Sequence, residues 1–156
     1  MTTFDQILAR FEGELQRYSL ALALEFRKAA EATRPNLTLE QLEAWSSEGL
    51  AIARNSFRSW EAAAEFFKAS AAIARQLGFP TLMAWAACGR DLSSCSASIA
   101  SSFFGSSPDA LGLIAPSDID IWVKSGRSLY KETWKTGLLC GQFFATSPVL
   151  LRHLSV

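Results

Sequence analysis

The sequence is poor in the residues that most often perform chemistry. Its 156 residues include a single His, His153, and three Cys (Cys88, Cys95 and Cys140) without CxxC spacing. A zinc site needs four ligands at closer spacing than these residues provide. The sequence also lacks a G-x-S-x-G nucleophile elbow, a Glu-x-x-His metal motif and a Gly-rich phosphate loop. We therefore expect a protein that is not an enzyme, with no catalytic, cofactor-binding or metal-binding residues.

Charge is also scarce, because only 19% of the residues are charged and fifteen basic side chains cancel fifteen acidic ones. A balanced chain exerts no long-range attraction on nucleic acid, so we expect no nucleic-acid partner. No run of about twenty apolar residues is present that could span a membrane. The first residues have neither the basic nor the apolar region of a secretory signal. These absences predict a cytoplasmic location and buried, reduced cysteines.

Aromatic residues are abundant by contrast, with five Trp and eleven Phe. Many of them belong to a pattern that occurs three times: a Trp, a Gly four residues later, a Phe-Phe pair and then a Ser. The Trp residues are 40 and then 37 residues apart, and a helical period near 40 is typical of an α-solenoid. The signature residues are Trp45, Gly49, Phe66 and Phe67, then Trp85, Gly89, Phe103 and Phe104, then Trp122, Gly126, Phe143 and Phe144.

The pattern predicts one all-α domain over residues 1–156, an α-solenoid-like array of three repeats of 37–40 residues. The repeats cover 38–78, 79–115 and 116–156, and residues 1–36 are expected to form an N-terminal capping helix. Capping boxes that begin at Thr3 and Thr38 predict helix starts, and residues 78–80 (Gly-Phe-Pro) predict a turn. Because Pro and Gly are rare between these signals, each repeat is interpreted as a long helix followed by a short one. The long helices are expected at about 38–69, 80–105 and 117–145, the short ones after Ser70, Ser107 and Ser147, and the capping helix at about 4–31.

The signature residues are expected to form the core. Trp and Gly four residues apart share one helix face, and a Gly inside a helix costs about 1 kcal/mol relative to Ala. A Gly that recurs at the same position of every repeat indicates that a neighbouring element closely approaches the helix backbone there. Adjacent Phe residues point about 100° apart on a helix, so one can face its own repeat and the other the next. A row of Trp lining a ligand groove is the alternative interpretation.

Two segments are unusually free of charge. Residues 92–108 carry none, which fits either a helix covered on most sides or a partner interface. Residues 136–156 carry only Arg152, and an apolar end of this kind is expected to dock onto a second copy, a partner or a longer chain. The candidate interface residues there are Gly137, Leu138, Gly141, Val149, Leu150 and Leu154.

The pattern L-x-x-W-x-x-x-G-x-x-L … FF-x-x-SP-x-x-L over residues 39–154 resembles helical repeats of certain bacterial proteins. Those proteins carry a von Willebrand factor A domain and work beside MoxR-type AAA+ ATPases. No such domain and no metal-ion-dependent adhesion motif is present in this sequence. The resemblance implies a helical scaffold or adaptor, and it transfers no catalytic residue.

The leading hypothesis is a non-catalytic scaffold or adaptor that mediates protein–protein assembly, as a homo-oligomer or as a subunit of a larger complex. One alternative is a phasin-like amphipathic protein that coats a storage granule or lipid surface, which the Ala-rich helices permit. Another alternative is a protein that binds a small apolar ligand in a Trp-lined groove.

Overall fold

The computed structural model describes residues 1–113 together with Ala115, Asp118, Ile121, Trp122, Lys124, Ser125, Phe143, Phe144 and Ser147. Every regular element in this part of the chain is helical, so the predicted all-α class is confirmed. No helix among these residues is long and apolar enough to cross a membrane. The helices are α1 (Phe4–Gln16), α2 (Leu20–Thr33), α3 (Leu39–Arg54), α4 (Ser59–Cys95) and α5 (Ala97–Leu111), with a short 3-10 turn at Arg34–Asn36.

Gly78 divides α4 into two segments, 59–77 and 79–95. Its φ of 79° and ψ of 173° are not helical, and Gly adopts positive φ without the steric cost that a side chain brings. Pro80 follows in the first turn of the second segment, where its missing N–H leaves no helical hydrogen bond unmade. The predicted turn at 78–80 is confirmed.

The prediction of one long and one short helix in each repeat is wrong for residues 38–111. A turn at 55–58 separates α3 from α4, and Ser96 separates α4 from α5. The Asn55 amide donates to the Arg90 carbonyl at 3.0 Å and to Ser93 Oγ at 2.6 Å. Ser96 has extended backbone and its hydroxyl accepts from the Ile99 N–H, which begins α5. The Asn55 side chain thus ties the turn at 55–58 to the second segment of α4, and the Ser96 side chain caps α5, without Gly or Pro at either break.

Ser70 and Ser107 do not begin new helices, contrary to prediction. Helix α4 continues through Ser70, and α5 continues through Ser107 and Pro108. Each serine hydroxyl donates to the carbonyl four residues earlier, Phe66 O at 2.6 Å in the first case and Phe103 O in the second. A serine whose hydroxyl is hydrogen-bonded to a backbone carbonyl of the preceding turn fits inside a helix. Pro108 is tolerated because it removes one hydrogen bond only three residues before α5 ends.

The expected single capping helix at the N-terminus is also wrong, because two helices occupy this region. Ser19 separates them, with extended backbone and a hydroxyl that accepts from the Leu22 N–H. The predicted capping boxes at Thr3 and Thr38 are confirmed as the starts of α1 and α3.

The helices therefore form consecutive pairs joined by short turns. The first pair is α1 with α2, the second is α3 with segment 59–77, and the third is segment 79–95 with α5. Neighbouring pairs contact each other through α1 and α3 and through α2 and α4. Aromatic side chains fill the space between the pairs, and their arrangement is the main feature of the core.

Candidate functional site

A continuous row of ring contacts runs through the molecule, and we call it the aromatic ladder. Successive ring centroids lie between 5.0 and 6.4 Å apart, within the range of favourable aromatic pairs. All of its rings except that of Phe143 are buried. The ladder consists of Phe26, Trp45, Phe66, Phe67, Trp85, Phe103, Phe104, Trp122, Phe143 and Phe144.

Each signature Trp meets its own Phe-Phe pair in the same way. The centroid distance from Trp to the first Phe is 6.2, 6.3 and 6.4 Å for Trp45, Trp85 and Trp122. The distance to the second Phe is 5.1, 5.0 and 5.1 Å in the same order, with edge contacts at 74°, 77° and 80°. Three stretches of different sequence thus place their rings in one common geometry.

The contacts from one set of signature residues to the next also recur. The first Phe of a pair, or Phe26 in the first helix pair, packs against the Trp that lies 19 residues downstream, and its ring meets the edge of the second Phe of that next set. Phe26–Trp45 and Phe66–Trp85 are stacked at 5.8 and 5.5 Å, both with 26° between the ring planes, and Phe103–Trp122 is slightly more tilted, at 5.5 Å and 31°. The edge contacts are Phe26–Phe67, Phe66–Phe104 and Phe103–Phe144, at 5.2, 5.4 and 5.3 Å.

The signature glycines lie directly beneath the second Phe of their own pair. A Cβ on Gly49 would lie 2.1 Å from Phe67 Cζ, and one on Gly89 would lie 2.0 Å from Phe104 Cζ. No side chain fits at these distances, so the glycine lets the ring rest on the helix backbone. The close approach inferred from the sequence therefore comes from a ring; the third glycine, Gly126, lies outside the described residues.

The signature serine accepts a hydrogen bond from the indole, a role that the sequence analysis missed. Trp85 Nε1 donates to Ser107 Oγ at 2.9 Å, and Trp122 Nε1 donates to Ser147 Oγ at 2.8 Å. The available signal was a Ser four residues after the first Phe in every repeat. Trp45 differs, because its buried Nε1 has no hydrogen-bond acceptor among the described residues.

Charged side chains cover the N-terminal end of the ladder. The guanidinium of Arg10 lies 4.7 Å from the centroid of the Phe11 ring, and that of Arg34 lies 4.2 Å from the Phe4 ring. Phe11 in turn contacts the first ring of the ladder at 6.3 Å. Cation–π contacts therefore replace a further aromatic layer at this end.

A polar groove of about 400 Å³ lies where the 55–58 turn meets the second segment of α4. Beside it, Arg90 Nη1 lies 3.1 Å from Glu48 Oε1. Burial raises the pKa of Glu48, and the Arg90 charge partly opposes this rise. No three His, Cys, Asp or Glu side chains in the described part of the chain are placed to hold a metal ion. The groove is lined by Asn55, Ala87, Cys88, Arg90, Asp91 and Ser94.

Two expectations about buried residues have different outcomes. Trp45, Trp85 and Trp122 are only 0, 2 and 6% exposed, so these side chains lie in the core, as the main interpretation expects, and do not line an open groove as the alternative does. The expected burial of the cysteines, in contrast, is wrong for the two that the structure describes. Cys95 is exposed because it ends α4 at a turn, and Cys88 is half-buried at the polar groove.

The apolar segments are described only in part. Residues 92–108 form the end of α4 and most of α5, with one face buried against the ladder and the other carrying exposed serines. The predicted interface residues Gly137, Leu138, Gly141, Val149, Leu150 and Leu154 lie outside the described residues, as do Cys140 and His153.

No family model, no curated protein and no solved structure matches this chain. The resemblance to repeats of von Willebrand factor A domain proteins therefore stays a hypothesis based on the sequence pattern.

Proposed function

We propose that this chain is a non-catalytic helical-repeat scaffold or adaptor that mediates protein–protein assembly. In this proposal, the repeats at 38–78, 79–115 and 116–156 stack as an α-solenoid-like array. The observation that carries it is the recurrence of a similar Phe–Trp contact at 5.5–5.8 Å from each helix pair to the Trp of the next signature set. Units that join through one repeated interface form a continuous core and an extended outer surface, which such proteins use to bind partners.

The deep burial of the ladder supports this function over a granule coat. A phasin-like protein would spread amphipathic helices over an apolar surface, and that would expose rings that here contact one another. The described helices instead turn their aromatic residues towards each other, with Phe66, Phe67 and Phe104 fully buried. A fixed core of this kind suits a rigid adaptor.

The apolar C-terminal residues are the proposed contact surface, on the grounds of their sequence. A patch without charge is tolerated when another molecule covers it. Partner binding there accounts for the near absence of charge after residue 135, where Arg152 is alone. Assembly takes the form of a homo-oligomer or of a subunit within a larger complex.

Light scattering coupled to gel filtration tests this proposal, together with capture of the tagged chain from its native cells. We expect light scattering to give a mass above that of the 17.1 kDa monomer, or the capture to bring down a second protein with the tagged chain. Leu138→Glu and Leu154→Glu should reduce that assembly while circular dichroism remains helical. The matched control is Leu24→Glu, since Leu24 is already 50% exposed on α2 and should assemble as the parent does. A lone monomer in both experiments would contradict the proposal.

A further inference from the structure

We propose that one edge of the helix array binds the surface of an anionic phospholipid bilayer, with the ring of Phe57 inserted among the lipid headgroups. The edge consists of the three turns that join α1 to α2, α3 to α4 and α4 to α5, at residues 17–19, 55–58 and 96, and we call it the turn edge. This inference goes beyond the proposed assembly and concerns residues other than those proposed for it.

Contacts between neighbouring helix pairs bring the three turns to the same end of the molecule. Beside the first turn, Glu14 Oε2 lies 3.6 Å from Arg54 Nη2, and Arg54 is the last residue of α3. Beside the third turn, the Asn55 amide donates to the Arg90 carbonyl and to Ser93 Oγ, near the end of α4. The three turns therefore lie side by side along one edge of the array.

The turn edge carries exposed apolar side chains at two of its turns. Phe57 is 95% exposed, Leu20 62% and Tyr18 40%. Phe57 makes no ring contact with any described residue. Trp60, in the first turn of α4, is only partly buried against the core. Aromatic side chains of this kind favour the region of a bilayer where apolar chains meet the headgroups.

Arginines lie at the same two turns. Arg17 and Arg58 are turn residues, Arg54 ends α3, and all three are exposed. Glu14 lies 3.7 Å from Arg17 and 3.6 Å from Arg54, so one carboxylate is shared by two guanidinium groups. Arg58 has no ion-pair partner among the described residues. The two turns thus present guanidinium groups that can bind phosphate oxygens through paired N–H donors.

The other acidic residues near the turn edge lie further along the helices. Glu61 is in the first turn of α4, and Asp91 is four residues before the end of that helix. Positive charge is therefore concentrated at the turns, although the charges of the whole chain cancel. Apolar side chains beside basic residues are the combination by which proteins bind anionic bilayer surfaces.

A bilayer suits the turn edge better than a folded protein partner. The exposed rings of Tyr18 and Phe57 belong to separate turns, and each has an arginine next to it in the sequence. They do not form the continuous surface of about 800 Å² that each side of a typical protein interface covers. Lipid headgroups, in contrast, rearrange around single projecting side chains. The aromatic ladder stays buried in this mode of binding, unlike the core of a protein that spreads its helices over a granule.

Co-sedimentation with vesicles tests this inference. We expect the chain to bind phosphatidylcholine vesicles that contain phosphatidylserine at least about tenfold more strongly than pure phosphatidylcholine vesicles, and more weakly as salt is added. Phe57→Ser should lower the partition coefficient about tenfold, and Arg58→Gln about fivefold. The matched controls are Leu39→Ser and Arg75→Gln, since both residues are exposed at the opposite ends of α3 and of segment 59–77. Both controls should bind as the parent does.

Absence of binding, equal binding to both kinds of vesicle, or equal losses in the controls would overturn the inference. Phe57→Ser should keep its helical circular dichroism, because the ring it removes is exposed. A parent chain that ignores vesicles but captures a protein that Phe57→Ser loses would identify the turn edge as a protein interface, against this proposal. Assembly without vesicle binding would overturn this inference and leave the proposed function intact, whereas vesicle binding by a lone monomer would do the reverse.

Discussion

The first and third helix pairs place their rings alike with different residues. The centroid distance is 6.3 Å between Phe11 and Phe26 in the first pair, and 6.3 Å between Trp85 and Phe103 in the third. The five corresponding positions are Phe11, Leu15, Phe26, Arg27 and Ala30 in the first pair, and Trp85, Gly89, Phe103, Phe104 and Ser107 in the third.

The residues that differ between the first and third helix pairs change together, so that contacting positions still fit each other. Where the third pair has Gly89 beneath a Phe ring, the first has the buried Leu15 together with the exposed Arg27. Where the third pair has an indole N–H and a serine acceptor, the first pair has Phe and Ala, which need no hydrogen bond. The comparison teaches that combinations of residues maintain this packing, and that the N-terminal pair has a similar ring arrangement without the signature residues.

The largest expected effect comes from removing the ring of Phe104, which the third pair has and the first pair lacks. Phe104→Ala should lower the free energy of unfolding by about 3–5 kcal/mol in urea denaturation, because it leaves a cavity above Gly89. Arg27→Ala, the matching change in the first pair, should cost less than about 1 kcal/mol. Phe57→Ala is the control at a ring that is 95% exposed and should change little. Similar losses for all three would remove the distinction between the pairs.

Replacing the signature glycine Gly89 by Ala should have the next largest effect on stability. Gly89→Ala puts a Cβ 2.0 Å from Phe104 Cζ and should destabilise the protein by about 1–3 kcal/mol. Gly13→Ala on α1 has nothing within 4 Å of the new Cβ and should stabilise by up to about 1 kcal/mol. Thermal unfolding of both variants measures the difference. A stabilised Gly89→Ala would show that the ring does not need this close approach.

The indole hydrogen bond gives a smaller effect. Ser107→Ala leaves the buried N–H of Trp85 without its acceptor and should cost about 1–3 kcal/mol. Ser70→Ala should cost less, since Trp45 makes no such bond. Trp85→Phe added to Ser107→Ala reproduces the Phe and Ala combination of the first pair. In denaturant unfolding, the double variant should lose less than the sum of the single losses, and a strictly additive loss would contradict the pairing.

The smallest effect concerns the ion pair of Glu48 with Arg90, which joins the second and third helix pairs. Burial raises the pKa of Glu48 above its ordinary value of 4.5. Between the unfolded and folded pKa values the folded protein binds more protons, so its stability falls as pH rises through that window. Glu48→Gln should weaken this fall and gain stability relative to the parent above the window. The measurement is the free energy of unfolding of the parent and of Glu48→Gln as a function of pH, with the exposed Glu31→Gln as control. Identical curves for Glu48→Gln and the parent would contradict the expectation.

The sequence pattern was sufficient for the fold class, for the turn at Gly78 and for the burial of the described signature residues other than Phe143. Periodic aromatic residues and a glycine-proline turn leave clear signals. The pattern was insufficient for the helix breaks, because serines such as Ser19 and Ser96 are common inside helices as well as at their starts. Asn55 bonds to residues 35 and 38 positions away, which no local pattern indicates. The N-terminal pair was hidden for another reason. Its Phe11 and Arg27 preserve the packing while changing the residue types that identify the pattern.

A double-mutant cycle between Phe66 and Trp85 tests the stacking of successive pairs most directly. The rings are 5.5 Å apart and come from different helix pairs, so Phe66→Leu, Trp85→Leu and the double variant isolate that contact. We predict a coupling free energy of about 0.5–1.5 kcal/mol, and a similar value for Phe26 with Trp45. Zero coupling at both contacts, with the single variants still folded, would contradict an array held together by this repeated interface.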